Sequence, residues 1–166
     1  MNWPALIVGL VALERLAELA HANRNTKALL RAGAHEIGRA HYKLIVALHA
    51  CWLAAVYLAA KPDAPPIWFW LAIYLGLQAA RYWIIASLGR YWTTRIIAVP
   101  AAPLVSRGLY RFVRHPNYAV VIAEIAVLPM AFRELWVAAA FSALNALLLV
   151  WRTRVENTAL AQRSPK

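Results

Sequence analysis

The chain has 166 residues, 63% of them hydrophobic, with a mean hydropathy of +0.52 and only 15% charged residues. Average soluble proteins carry about 25% charged residues, so the composition excludes an ordinary soluble domain and points to a single membrane-embedded domain over residues 1–166. The net charge of +11 does not imply nucleic acid, because its Lys and Arg lie in short connections between apolar runs rather than in one solvated patch.

A bilayer-crossing helix needs about 20 mostly apolar residues. The first such run extends from Trp3 to about Ala22 and carries Glu14, Arg15 and Glu18 in its last half. Met1-Asn2 offers no basic n-region, so the run reads as a span and not as a signal peptide. The second span is expected over Tyr42–Ala60, and the third over Ile67–Leu88, after Pro65-Pro66 and before Gly89. Residues 1–88 therefore hold three spans. The last apolar region, Tyr118 to Trp151, is broken at Phe132-Arg133-Glu134. Each arm is short for a crossing at 1.5 Å per residue. A tight helical hairpin reaching the far interface is expected, because Arg133 and Glu134 at its tip want water. The fold class is thus all-α, a polytopic integral membrane protein with about five transmembrane helices. The lone cysteine, Cys51, lies in an apolar run and excludes both an intrachain disulfide and a thiolate metal site; no metal is expected.

The Lys and Arg residues alternate in density along the chain. Arg24, Lys27, Arg31, Arg39 and Lys43 fall between the first two spans, and Lys61 alone between the next two. Arg90, Arg95, Arg107, Arg111 and Arg114 precede the hairpin, Arg133 sits at its tip, and Arg152, Arg154, Arg163 and Lys166 follow it. The positive-inside rule places the dense segments in the cytoplasm and the N-terminus outside.

The densest polar stretch runs from Leu104 to Tyr118. Gly108 permits a positive-φ turn. Pro116 pushes His115 out of helical geometry and can open the next helix at its first turn. The stretch reads either as interfacial anchors or as a structured loop that delivers Arg, His, Asn and Tyr to the mouth of the hairpin. Arg152 and Glu156 stand at i and i+4 on one helix face, as a surface ion pair or as site residues. Glu14, Arg15 and Glu18 serve structure or a substrate pocket, since charges at membrane depth face a protein interior or a polar cavity. His41 and Tyr42 read as interfacial anchors and His49 as a lone histidine in an apolar helix. Arg81 lies close enough to the cytoplasmic exit to snorkel. No nucleotide-binding loop, nucleophile elbow or zinc spacing is present.

Leu104-Val105, Gly108-Leu109-Tyr110 and Arg114-His115-Pro116-Asn117-Tyr118, followed by a hairpin and by Arg152 and Glu156, together resemble the isoprenylcysteine carboxyl methyltransferase family. The resemblance covers Leu104 to Leu160. Its members are membrane methyltransferases that use S-adenosylmethionine. The pieces Glu14-Arg15-Leu16-Ala17-Glu18, Arg24-Asn25, His41-Tyr42 and Leu48-His49 resemble a bacterial branch. That branch sits beside type III polyketide synthases and methylates alkylpyrone or alkylresorcinol lipids. Val120 stands where many members have Gly, Leu109 where many have Pro, and Glu156 where eukaryotic members have a run of acids.

The resemblance implies that residues 89–166 form a cofactor-binding loop, the hairpin and a C-terminal helix. Leu104, Val105, Tyr110, His115, Pro116, Asn117 and Tyr118 would line a cytoplasmic S-adenosylmethionine pocket, with Glu156 at the cofactor's amino group. Arg152 would face the acceptor oxygen, and His115 and Arg152 are the catalytic candidates. Glu14 and His49 join Arg152 as substrate-binding candidates. The implied activity is O-methylation of a lipidic acceptor, a hydroxyl of an alkylpyrone or alkylresorcinol, in the bacterial cytoplasmic membrane, with membrane lipids around it and a functional link to a polyketide synthase. The alternatives are a prenylcysteine-like carboxylate acceptor and a non-enzymatic transporter or scaffold.

Overall fold

The computed structural model describes residues 1–100, 107–113 and 115–161, with the side chains of all of these except 39–41 and 157–161. The described residues form five α-helices: α1 (Trp3–Arg31), α2 (Arg39–Ala59), α3 (Trp68–Leu88), α4 (Pro116–Ala131) and α5 (Leu135–Ala161). Three stretches, Tyr42–Ala59, Trp68–Tyr91 and Leu135–Glu156, are long and apolar enough to cross a membrane.

Helix α1 outruns its apolar segment. Asn2 caps its start by accepting from the Ala5 amide at 3.0 Å. The helix continues nine residues beyond Ala22, because Ala22, Thr26 and Leu29 keep one face buried after the apolar composition has ended. It stops in a Schellman turn: Ala34 N donates to Leu29 O at 3.1 Å and Gly33 N to Leu30 O at 3.2 Å, with Gly33 at φ +89°.

The hairpin arms are unequal. Helix α4 has 16 residues and α5 has 27, about 24 and 40 Å long. Only α4 is therefore short of a bilayer core of about 30 Å. The turn between them spans Phe132 to Glu134 and places Arg133 at φ 69°.

The connections sort to two ends of the bundle. At one end Trp3 N donates to Pro62 O, Ile67 N to Ala131 O at 2.8 Å, and the Arg133 guanidinium to Pro65 O at 3.0 Å. At the other end two strands meet that the all-α reading did not contain: β1 (His35–Ile37) and β2 (Ile96–Ala98) pair antiparallel with Glu36 opposite Ile97. Ile37 beside Gly38, and Ile96-Ile97 shortly after the Thr93-Thr94 pair, favour extended backbone. Arg95 clamps the ribbon through Glu36 at 3.1 Å. Asn25 on α1 ties the same end together by donating to Gly89 O at 3.2 Å and Trp92 O at 2.9 Å. The two connections rich in Arg and Lys thus share one end, and Lys61 and Arg133 share the other.

The apolar core joins α1, α2, α3 and the hairpin around Val11, Trp52, Val56, Ile125, Leu128 and Val137. Large apolar side chains such as Leu10, Leu58, Phe69, Leu75 and Leu147 point outward, as a lipid-facing surface requires.

Candidate functional site: a cavity bordered by two polar clusters

A cavity of about 420 Å³ opens among the helices and the segment after α3. That volume lies within the range of small-molecule sites. Most of its wall is apolar, from residues such as Leu19, Ile45, Val46 and Val121, and a few polar groups converge on it.

At its mouth the chain is held by local geometry. Arg107 donates to Ser87 O at 2.7 Å, at the carbonyl-rich end of α3. Gly108 has φ +62° and lies so close to Ser87 Oγ that a Cβ would clash, so glycine is required twice over. Pro116 opens α4 in its first turn and His115 precedes it in non-helical geometry. The N–H of Tyr118 then returns to His115 O at 3.1 Å.

This geometry gathers four side chains. The Tyr118 hydroxyl donates to Glu156 Oε2 and accepts from Arg152 Nε at 2.8 Å. The His115 ring stacks on Tyr118 at 5.1 Å and 10°, with Nδ1 3.9 Å from Glu156. Arg152 and Glu156 share a helix face but form no direct ion pair; they meet through the phenol of Tyr118. Tyr110 lies near enough that burial, then the Glu156 carboxylate, pushes its phenol up to about 12. Asn117 borders the cavity with a buried Oδ1 that has no hydrogen-bond partner among the described residues. Tyr118 and Arg152 line the cavity, whereas His115 and Glu156, which meet Tyr118, are not among its lining residues. Leu104 and Val105 are outside the described residues.

A second cluster sits deeper. Arg81 donates to Glu18 at 2.7 Å and to Glu124 at 2.9 Å. Arg15 reaches Gln78 at 2.5 Å, Glu18 at 2.9 Å and Glu124 at 3.4 Å, and Gln78 donates to Glu124 at 2.9 Å. Arg81 therefore turns inward and does not snorkel, because carboxylates of α1 and α4 meet it inside the bundle. Arg15, Glu18 and Arg81 face the cavity; Glu14 is not among its lining residues, and its carboxylate meets Arg15 at 3.3 Å. His49 does line the cavity, with Nδ1 against Ile45 O at 2.8 Å. Glu124, Gln78 and Asn145 stood in the sequence as isolated polar residues in apolar helices, the signal that intramembrane polar groups have a role.

Comparison with known proteins finds relatives of the chain. A family model described as the isoprenylcysteine carboxyl methyltransferase (ICMT) family matches residues 70–162, from α3 through both arms of the hairpin. The uncharacterized protein YpbQ of Bacillus subtilis (strain 168) is 39% identical over 173 aligned positions, covering 100% of both chains. An uncharacterized protein of Haemophilus influenzae (strain ATCC 51907 / DSM 11121 / KW20 / Rd) is 28% identical over 157 positions, covering 92% of this chain and 91% of that one. No solved structure matches. Since the family model spans more than half of the chain and takes in every residue of the mouth cluster, this integral membrane protein belongs to the isoprenylcysteine carboxyl methyltransferase family.

Proposed function

We propose that the protein is an S-adenosylmethionine-dependent membrane O-methyltransferase whose acceptor is a lipidic hydroxylated ring of the alkylresorcinol or alkylpyrone type. The observation that carries the reading is the position of Tyr118 and Arg152. Both line the apolar cavity, and Tyr118 also meets Glu156 and His115, which do not line it. A cofactor on the side of Glu156 and His115 and a lipid in the cavity would meet at Tyr118 and Arg152.

The residues present suit the cofactor. Glu156 is a carboxylate for an ammonium group, and Asn117 has an unused buried acceptor. Stacked His115 and Tyr118 offer flat surfaces. Tyr110 and Pro116 complete that side, and Leu104 and Val105 join it by resemblance. When bound, S-adenosylmethionine supplies a methyl group on a sulfonium, which passes to the acceptor oxygen as a C–O bond forms and the C–S bond breaks.

The chain's own residues do the rest. Arg152 holds the acceptor oxygen and favours its ionised form, which a phenol with pKa near 10 needs at neutral pH. His115, 26% exposed, stacks on the Tyr118 ring that borders the cavity and would pass the phenolic proton to water from there. Apolar walls exclude water and hold the oxygen in line, where positioning supplies most of the acceleration. The basic connections support a cytoplasmic site. Labelling of cysteines introduced at Lys61 and Arg133 from outside the cell, with Arg107 protected, is the expected outcome.

The family description itself favours a second acceptor, a carboxylate. A carboxylate is already ionised at neutral pH, so it would need neither the proton path through His115 nor the pKa effect of Arg152. The protein in nanodiscs, given labelled cofactor with an alkylresorcinol, an alkylpyrone or a prenylcysteine, decides between them. Methylated phenol or enol in the mass spectrum is expected; ester formation on prenylcysteine alone overturns the hydroxyl reading.

A further inference from the structure

Asn145 stands out among the polar groups of the cavity. It is 2% exposed, lines the cavity and has no hydrogen-bond partner among the described residues. Its charged neighbours Arg15, Glu18 and Arg81 are all paired. Buried polar groups are normally hydrogen-bonded, and an unpaired amide in an apolar helix is costly. Asn145, Leu149 and Arg152 line the cavity at i, i+4 and i+7 of α5. Asn145 is therefore on the Arg152 face and about 10 Å further into the bundle, a gap shortened by the reach of the arginine.

His49 faces the same cavity from α2. Its Nδ1 donates to Ile45 O at 2.8 Å. In the neutral ring Nε2 is then a hydrogen-bond acceptor with no partner among the described residues. The ring is held edge-on to Trp52 at 6.3 Å, and Trp52 is pinned by its own bond to Ile125 O at 3.2 Å. His49 thus presents a fixed acceptor and Asn145 a donating amide to one space.

We propose that His49 and Asn145 form a second polar contact for the acceptor, one that recognises a free ring hydroxyl while Arg152 holds the oxygen being methylated. This rests on the methyltransferase reading above. A hydroxyl is the group that can receive a hydrogen bond from Asn145 and give one to His49 Nε2 together. A carboxylate or a ring carbonyl has no proton to give and leaves His49 unpaired. The acceptor is accordingly a dihydroxylated ring, with its tail along the apolar wall. Leu16 borders the cavity yet is 61% exposed on the outside of the bundle, which leaves the tail a way to the lipid between α1 and α2.

The test compares a 5-alkylresorcinol with the 3-alkylphenol of the same tail. A site built to bond a hydroxyl strongly rejects the analogue that lacks it. The wild-type protein should prefer the resorcinol by about a hundredfold or more in kcat/KM. Asn145→Leu and His49→Phe should lower kcat/KM for the resorcinol far more than for the alkylphenol and so remove most of that preference. His49→Gln, which can still present an acceptor near the Nε2 position, should keep more of it than His49→Phe. Equal kcat/KM on both phenols in the wild type overturns the proposal with no variant needed. Losses that are the same for both acceptors in the variants overturn it too, as a merely structural role. Methylation of neither phenol, with turnover of prenylcysteine, overturns the hydroxyl reading itself and this inference with it.

Discussion

The inner cluster on α1, α3 and α4 and the mouth cluster on α4 and α5 border one cavity and use their charges in opposite ways. In the inner cluster Glu124 receives Arg81 and Gln78 at 2.9 Å and Arg15 at 3.4 Å, and Glu18 receives Arg81 at 2.7 Å and Arg15 at 2.9 Å. Those charges are met by partners within the bundle, most of them on other helices. In the mouth cluster Glu156 has the Tyr118 hydroxyl and a histidine at 3.9 Å. Among the described residues Arg152 has one hydrogen-bond acceptor, and Asn117 Oδ1 has no partner. A buried charge that meets its partners within the protein holds helices together; donors and acceptors left over are what a ligand can use. On the proposed reading the first cluster keeps the bundle together and the second carries the chemistry.

The largest effect should come from leaving the inner carboxylates without their cation. Arg81→Leu strips Glu18 and Glu124 of a guanidinium that is itself 9% exposed. Breaking a buried pair from one side costs about 3–5 kcal/mol. The variant should lose much of its thermal stability in detergent, and Arg81→Leu with Glu124→Gln should recover part of it. A variant as stable as wild type would erase the contrast between the clusters.

Next comes Arg152→Ala. Stability should be near wild type, because Arg152 is only half-buried at the cavity's edge, while turnover of a phenol falls by about 10²–10³, the usual cost of one preorganised donor. The deficit should shrink as pH rises towards the phenol's own pKa near 10, because ionisation then needs less help from the protein. Arg152→Lys should not fully restore it, lacking the planar fork. A loss that does not change with pH would mean that Arg152 positions the acceptor without favouring its ionised form. Glu156→Ala should act on the other ligand. The cofactor KM rises about tenfold, as loss of one charge-assisted bond predicts, with a smaller change in kcat. A pure kcat loss would move Glu156 from the cofactor to the reacting atoms.

The two clusters were not equally legible in the sequence. The mouth could be read locally. Gly108, Pro116 and the i, i+4 spacing of Arg152 and Glu156 dictate backbone conformations within a few residues, and these bring His115, Tyr118, Arg152 and Glu156 together. Spacing could not show that Tyr118 stands between the last two, because a shared helix face gives proximity and not partners. The inner cluster was less legible, since Arg81 gains its partners from residues 43 and 63 positions away, and from Arg81 alone the cytoplasmic exit looked nearer. Apolar runs gave three spans closely, but the second half of α1 and the β1–β2 ribbon depend on contacts between connections that composition does not encode. The run Glu-Arg-Leu-Ala-Glu does not say which acid faces inward, so it points to Glu14 as readily as to Glu18, and it is Glu18 that lines the cavity.

The smallest effect should follow Tyr118→Phe, and it bears most directly on how the mouth works. The hydroxyl links Arg152 to Glu156, accepting from one at 2.8 Å and donating to the other. Its loss removes two bonds to charged groups but neither charge. Arg152 keeps its other N–H donors and the ring, whose centroid lies 5.7 Å from its Cζ. Glu156 keeps His115 at 3.9 Å, and the ring that remains can still stack with His115. The remaining cost is looser orientation of both side chains, about 1–1.5 kcal/mol, or roughly tenfold in kcat/KM at most. Because the hydroxyl touches both partners, the loss should divide between cofactor KM and kcat, unlike that of either neighbour. Steady-state kinetics on the purified variant checks this. A drop as large as that of Arg152→Ala would make the phenol a reacting group, passing the acceptor's proton towards Glu156, and the mouth would have to be read as a proton path built on Tyr118 rather than on His115.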